Sequence, residues 1–216
     1  MRRRSVIAWA AAWPVLAKAS GETLVAAAET GDVAALRRLL DAGTPVDARD
    51  ERRRTPLLAA TQADHVDAAR LLIERGADVN AKDDLQDSPF LYAGAEGRLE
   101  ILRLTLAEGA DLKSTNRYGG TALIPAAHHG HVETVRELLT TGIDVDHVNH
   151  LGWTALLEAI ILGDGGVAHV QIVHLLVAHG ANPQRADARG ITPLAHAERR
   201  GQRVIIEILR RAGAKS

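Results

Sequence analysis

Thr55-Pro56-Leu57-Leu58-Ala59-Ala60 spells out a helix start. A threonine at the cap accepts a hydrogen bond from an otherwise unpaired helix amide, and proline at the first helical position needs no partner. Ser88-Pro89 and Thr192-Pro193 repeat both residues, while Thr121-Ala122 and Thr154-Ala155 keep the threonine alone. Glu22, Thr55, Ser88, Thr121 and Thr154 stand 33 residues apart and each opens a near-copy of one segment; a sixth opens at Thr192 after a five-residue insertion. A fixed period of this length marks a chain built by stacking one helical unit.

Within the unit, the sixth position is alanine in every copy (Ala27, Ala60, Ala93, Ala126, Ala159, Ala197), which permits close approach of neighbouring helices. A second helix follows Asp32, His65, Gly97-Arg98 or His131, with pairs such as Leu39-Leu40, Leu71-Leu72, Leu138-Leu139 and Leu175-Leu176 facing inward. It stops at Gly43, Gly76, Gly109, Gly142, Gly180 or Gly213, because glycine reaches the left-handed C-cap conformation without steric cost. The turn-rich stretch that follows, such as Asn149-His150-Leu151-Gly152, reads as a β-hairpin-like finger. Each helix would span about 8 to 10 residues, too short to stand alone in water, so stability must come from the neighbouring unit. Both ends are altered: the first copy begins Glu22-Thr23 without proline, and the last carries Arg199, Arg200, Gln202 and Arg203 and ends without a finger.

These features resemble the ankyrin-repeat family. The resemblance rests on Thr-Pro-Leu at the start of a copy, Gly130-His131-Val132-Glu133 before the second helix, Gly76-Ala77-Asp78-Val79-Asn80 after it, and Asp187-Ala188-Arg189-Gly190-Ile191-Thr192 leading into the next copy. It implies an all-α solenoid of about six helix-turn-helix units with hairpin-like fingers, over copies 22–54, 55–87, 88–120, 121–153, 154–191 and 192–216 of one domain, 20–216. Departures from the pattern fall at Arg53 and Gln86, which replace the turn glycine, and at Gly163-Asp164-Gly165-Gly166-Val167, which lengthens one turn.

Ahead of the repeats, Arg2, Arg3 and Arg4 precede an apolar run over 6–17, and Ala17-Lys18-Ala19 offers the small residues a signal peptidase reads. Residues 1–19 are therefore expected to be a bacterial export leader, by the Sec or the twin-arginine route, placing the mature chain in the periplasm. The alternative is a helical cap on the first repeat of an intracellular scaffold. Cutting after Ala19 removes four of the 26 basic residues and, against 27 acidic ones, leaves a net charge of −5. That acidity, with no interleaved aromatics, argues against nucleic acid as the partner. The absence of cysteine excludes disulfide and thiolate chemistry.

What the resemblance implies about binding is positional: such proteins contact partners through the finger tips and the end of the first helix. Transferred to this chain, the pattern selects Arg52, Arg54 and Gln62; Asp84, Leu85, Asp87 and Glu96; Arg117, Tyr118, His128 and His129; His150, Leu151, Trp153, Ile161 and Leu162; and Arg189. The middle of that set is apolar and aromatic for solvent-facing positions, and tryptophan, tyrosine and arginine dominate the energetic centres of interfaces. The competing reading lays Trp153 over its own finger and packs Ile161 and Leu162 against the long loop. Arg49, Arg52, Arg53 and Arg54 make one finger basic and Asp83, Asp84 and Asp87 make the next acidic, an arrangement that orients a polar partner.

His128, His129 and His131, with His147 and His150 in the next finger, raise a metal-binding alternative. No carboxylate or thiolate accompanies them at a fixed spacing, and His65 and His131 hold a position where the family has a turn-bracing histidine, so no metal site or cofactor is assigned. No phosphate-cradling loop, zinc-protease helix or nucleophile elbow occurs. The expectation is a monomeric, non-catalytic module gripping a protein partner. Some periplasmic proteins of this kind are thought to protect enzymes, catalases among them, and others to neutralise toxic effectors.

Overall fold

The computed structural model describes residues 23–215; the expected leader lies outside the described residues. Twelve α-helices, and no strand among the described residues, alternate in two layers. The inner layer holds α1 (Leu24–Glu29), α3 (Pro56–Gln62), α5 (Pro89–Ala95), α7 (Leu123–His128), α9 (Ala155–Ile161) and α11 (Pro193–Arg199). The outer layer holds α2 (Val33–Asp41), α4 (Val66–Glu74), α6 (Leu99–Ala107), α8 (Val132–Leu139), α10 (Val167–Ala178) and α12 (Arg203–Arg211). Every substantial helix contact is made within a pair or with the adjacent pair. Among the described residues no helix is long and apolar enough to cross a membrane.

The core is one continuous seam between the layers, with Leu36, Leu57, Leu72, Phe90, Ile101, Leu123, Leu138, Leu156 and Ile160 fully buried. The sixth-position alanines are buried in it as well. Any larger side chain there would force adjacent inner helices apart.

Caps at the inner helices follow the expected chemistry with one exception. The side chains of Thr23, Thr55, Ser88, Thr154 and Thr192 accept from the amides of Ala26, Leu58, Leu91, Leu157 and Ala195 at 3.1–3.2 Å. Thr121 does not: its hydroxyl is buried without a partner, and α7 begins two residues later. Pro125 is the cause. The fifth residue of a capped copy normally donates its amide to the cap carbonyl, as Ala59 does to Thr55 and Tyr92 to Ser88. Proline has no such hydrogen. The Thr121 carbonyl instead takes the Ile124 amide at 3.2 Å, the donor that its hydroxyl would have used.

The C-terminal glycines behave alike at Gly43, Gly76, Gly109, Gly180 and Gly213, with φ between 77° and 91°. Gly142 departs from the expected cap: its φ is not left-handed. Thr140 and Thr141 end α8 by another route, their hydroxyls donating back to the Glu137 and Leu138 carbonyls at 2.7 and 2.6 Å.

The segments expected as hairpin-like fingers are closed by turns and not by paired strands. In each, an aspartate or asparagine at the base accepts two backbone amides ahead of it, as Asn116 Oδ1 does from Tyr118 and Gly120 at 2.9 and 3.1 Å. The same residue's own amide donates to the carbonyl four residues on, as Asn149 does to Trp153 at 3.0 Å. Arg53 and Gln86 hold the left-handed tip position that Gly119 and Gly152 hold elsewhere, with φ of 60° and 63°.

At the turn between helices, each helix pair meets the next through side chains that face the turn. A Cβ on Gly31 would fall 2.8 Å from the His65 ring, and one on Gly97 would fall 2.7 Å from the His131 ring. These histidines brace the turn, as the resemblance implies. Where the turn residue is Asp64 (φ 61°) instead of glycine, the residue facing it is Arg98 instead of histidine, and the two form an ion pair at 3.2 Å. The five-residue insertion displaces but does not abolish the brace: His169 donates through Nε2 to the His128 carbonyl, 2.8 Å away, while its Nδ1 meets Asp164 at 2.7 Å.

Candidate functional site

The inner helices and the fingers bound a face that holds a hollow of about 580 Å³ over α5, α7 and α9. Its wall contains Gln62, Leu85, Asp87, Glu96, Arg117, Tyr118, His128, His129, Leu151 and Leu162, all selected from the sequence. Leu85, Tyr118, Leu151 and Leu162 are exposed by 44–56%, an apolar rim around a polar floor.

The other selected residues lie elsewhere. Arg54 is engaged within the protein, bonding to Asp50 at 2.7 Å, Gln62 at 3.1 Å and Glu29 at 3.3 Å. Arg52 and Asp84 stand on the outer fingers, where the Asp84 amide donates to the Arg52 carbonyl at 3.2 Å. His150 lies beside the Gly119 tip of the preceding finger, so close that a Cβ on that glycine would fall 2.5 Å from its ring, and its amide donates to the Tyr118 carbonyl at 2.9 Å. Trp153 is half-buried, its amide and carbonyl both closing its own finger. Ile161 is half-buried beside the hollow and Arg189 is exposed on the last finger; neither lines it.

Sequence reasoning missed the floor. Tyr92, Pro125 and Glu158, the fifth residues of three successive copies, run across it, with Asn116 and Asn149 beneath the fingers. The fourth and sixth positions of these copies are constant aliphatic or alanine while the fifth changes in chemistry from copy to copy, and that contrast is the pattern that marks a facing row.

Glu158 is the unusual member. Its side chain is 9% exposed; Oε1 accepts from Asn149 Nδ2 at 2.7 Å, and Oε2 stands 3.8 Å from His128 Nδ1, beyond hydrogen-bond reach. Burial pushes its carboxyl up to about 7, against the opposing pull of the Asn149 bond and of nearby His129. Burial also lowers His128, helped by neighbouring His129 and His169, so His128 is neutral at neutral pH. Burial and the adjacent Asp83 raise Asp87. Arg117 lies 4.8 Å from the Tyr118 ring centre and 3.8 Å from Asp87, a cation already shared between a ring face and a carboxylate.

The imidazoles are largely committed to the scaffold. The His129 ring bonds to the Ala95 carbonyl at 2.7 Å and the His147 ring to the Gly119 carbonyl at 2.7 Å. His131 buttresses Gly97. Among the described residues no three His, Asp or Glu side chains come together so as to hold a metal ion.

Comparison with known proteins agrees with this architecture. A family model described as ankyrin repeats (3 copies) matches residues 14–83 and 90–187. The ankyrin repeat protein YahD of Escherichia coli (strain K12) is 49% identical over 57 residues, which are 26% of this chain and 28% of that protein, so the chain spans little more than a quarter of this curated relative. A crystal structure of an ankyrin repeat domain from Acinetobacter baumannii AYE is 61% identical, with a TM-score of 0.86 over 89% of this chain and 98% of that one. The ankyrin repeat protein EF0377 is 42% identical, with a TM-score of 0.83 over 87% and 96% of the two chains. The ankyrin repeat domain of Bcl-3, a member of the IkappaB protein family, is 30% identical, with a TM-score of 0.80 over 91% and 88%.

Proposed function

The chain belongs to the ankyrin-repeat family, and from that premise we propose that it is a non-catalytic module that grips a partner protein in its concave groove. Ankyrin repeat domains typically mediate protein–protein interaction. In this reading six stacked units present five turn-built fingers, and the surface they share is the binding face. The observation that supports it is the hollow of about 580 Å³, where Leu85, Tyr118, Leu151 and Leu162 surround a polar floor. A tyrosine and an arginine beside exposed leucines match the residue types that dominate binding energy at interfaces.

We read the mature chain as a periplasmic monomer exported by residues 1–19, with a protective or immunity-type role toward its partner. A photo-reactive residue in place of Tyr118 or Leu162 should capture the partner in cells, whereas the same residue in place of Arg70 or Glu74 on the outer layer should not. Equal capture from both faces would rule out the groove. Sequencing the N-terminus of the protein recovered from cells tests export: Ser20 is the expected first residue, and an intact Met1 would contradict it.

A further inference from the structure

A buried carboxylate is costly unless something satisfies it. The fifth position carries an acid in one copy alone; the other copies have Ala26, Ala59, Tyr92, Pro125 and His196 there, so the fold does not require Glu158. Glu158 lines the hollow; one of its oxygens is held by Asn149, and the other has no hydrogen-bond donor among the described residues. Around it the wall carries Asp87 and Glu96 as further carboxylates, and its one guanidinium, Arg117, is occupied by Asp87 and Tyr118. Acid in the floor, apolar side chains at the rim and a guanidinium that is already engaged call for a positive charge from outside.

We propose that the groove contains a subsite for a basic side chain of the partner protein, a lysine or arginine flanked by apolar residues, whose cation reaches Glu158 Oε2 while its neighbours rest on Leu151 and Leu162. The subsite rests on the groove reading and gives it a chemical specificity. Asn149 is its positioning residue, fixing the carboxylate from behind. Tyr118, whose ring Arg117 already engages, borders the approach and gives apolar surface to the stem of the incoming side chain.

The test uses the full mature chain and two probes, N-acetyl-Leu-Lys-Leu-amide and its norleucine counterpart, titrated at pH 8 while backbone amide spectra are recorded. The lysine peptide should bind about tenfold more tightly and move the Tyr118, Leu151 and Leu162 signals. Glu158→Gln, which still accepts from Asn149, should erase that preference while leaving the rest of the spectrum in place. Should that variant lose its fold, the Glu158 carboxyl carbon in the unaltered protein supplies the same answer: saturation with the lysine peptide should lower its titration midpoint by about one unit. Equal binding of both peptides at the groove signals, or an unmoved midpoint, would overturn the subsite and leave the groove reading standing. Failure of either peptide to move those signals at about 5 mM also overturns the subsite, and cross-linking from Tyr118 then decides the groove independently.

Discussion

Asn149 Nδ2 donates to Glu158 Oε1 at 2.7 Å while Asn149 Oδ1 accepts the Leu151 and Trp153 amides at 3.0 Å, so one amide side chain ties the finger to the groove floor. One copy later the same two positions hold Asp187 and His196, joined at 2.9 Å with the polarity reversed. The donor and acceptor have exchanged sides, and each pair is matched.

Because Glu158 titrates near 7 in the folded chain and at 4.5 when free, the folded state holds its proton more tightly. Stability contributed by this group is therefore present below pH 4.5 and lost as pH rises through 7. Glu158→Gln removes the loss. The variant should match the wild type near pH 4 and exceed it by about 2–3 kcal/mol at pH 8, measured by urea unfolding across that range. A pH-independent difference would contradict the assignment.

Asn149→Asp places a second carboxylate against Glu158 and should cost about 2–3 kcal/mol at pH 8, since the donor is replaced by a like charge. Adding Glu158→His recreates the pairing of Asp187 with His196 and should recover at least half. A double-mutant cycle in urea reads the coupling, and strictly additive effects would count against it.

Gly97→Ala drives a Cβ to within 2.7 Å of the His131 ring at a φ of 68°, so it should cost about 2 kcal/mol or more. The complementary experiment is at Asp64 and Arg98. Arg98→His alone should destabilise, losing the ion pair and meeting the Asp64 Cβ, whereas Asp64→Gly with Arg98→His should restore the brace. Thermal unfolding of the three variants separates the steric account from a purely electrostatic one, in which the double change would be the worst.

Pro125→Ala returns a donor to the Thr121 carbonyl and releases the Ile124 amide to the orphaned Thr121 hydroxyl. A gain of about 1 kcal/mol is expected, the worth of a threonine cap. Loss of stability would show that the proline's restriction of the unfolded chain outweighs the missing cap.

The layered fold was legible because it is written redundantly: caps, buried alanines and terminal glycines recur, and a lapse at one copy is outvoted by the rest. The lapses themselves were not. Gly142 and Thr121 carry the expected residue types and do something else, because Thr140, Thr141 and Pro125 redirect the hydrogen bonds around them, which no positional pattern records. The groove rim was found through the eighth and ninth positions of the copies and the finger tips. Arg54, His150 and Trp153 came with it because position alone does not show what each engages: Arg54 bonds to Asp50, Gln62 and Glu29, His150 lies against the preceding finger, and Trp153 closes its own. Glu158 stayed hidden because its fifth position sits inside a run that otherwise reads as core.

That every substantial helix contact lies within a pair or between adjacent pairs has a mechanical meaning. Pulled from its two ends, such a molecule offers no single clamp that must fail before the rest gives way. Terminal helix pairs peel off first and the chain pays out in increments, and it can rewind as the load falls. A cargo seated across α5, α7 and α9 would rivet the middle of this spring while leaving both ends compliant.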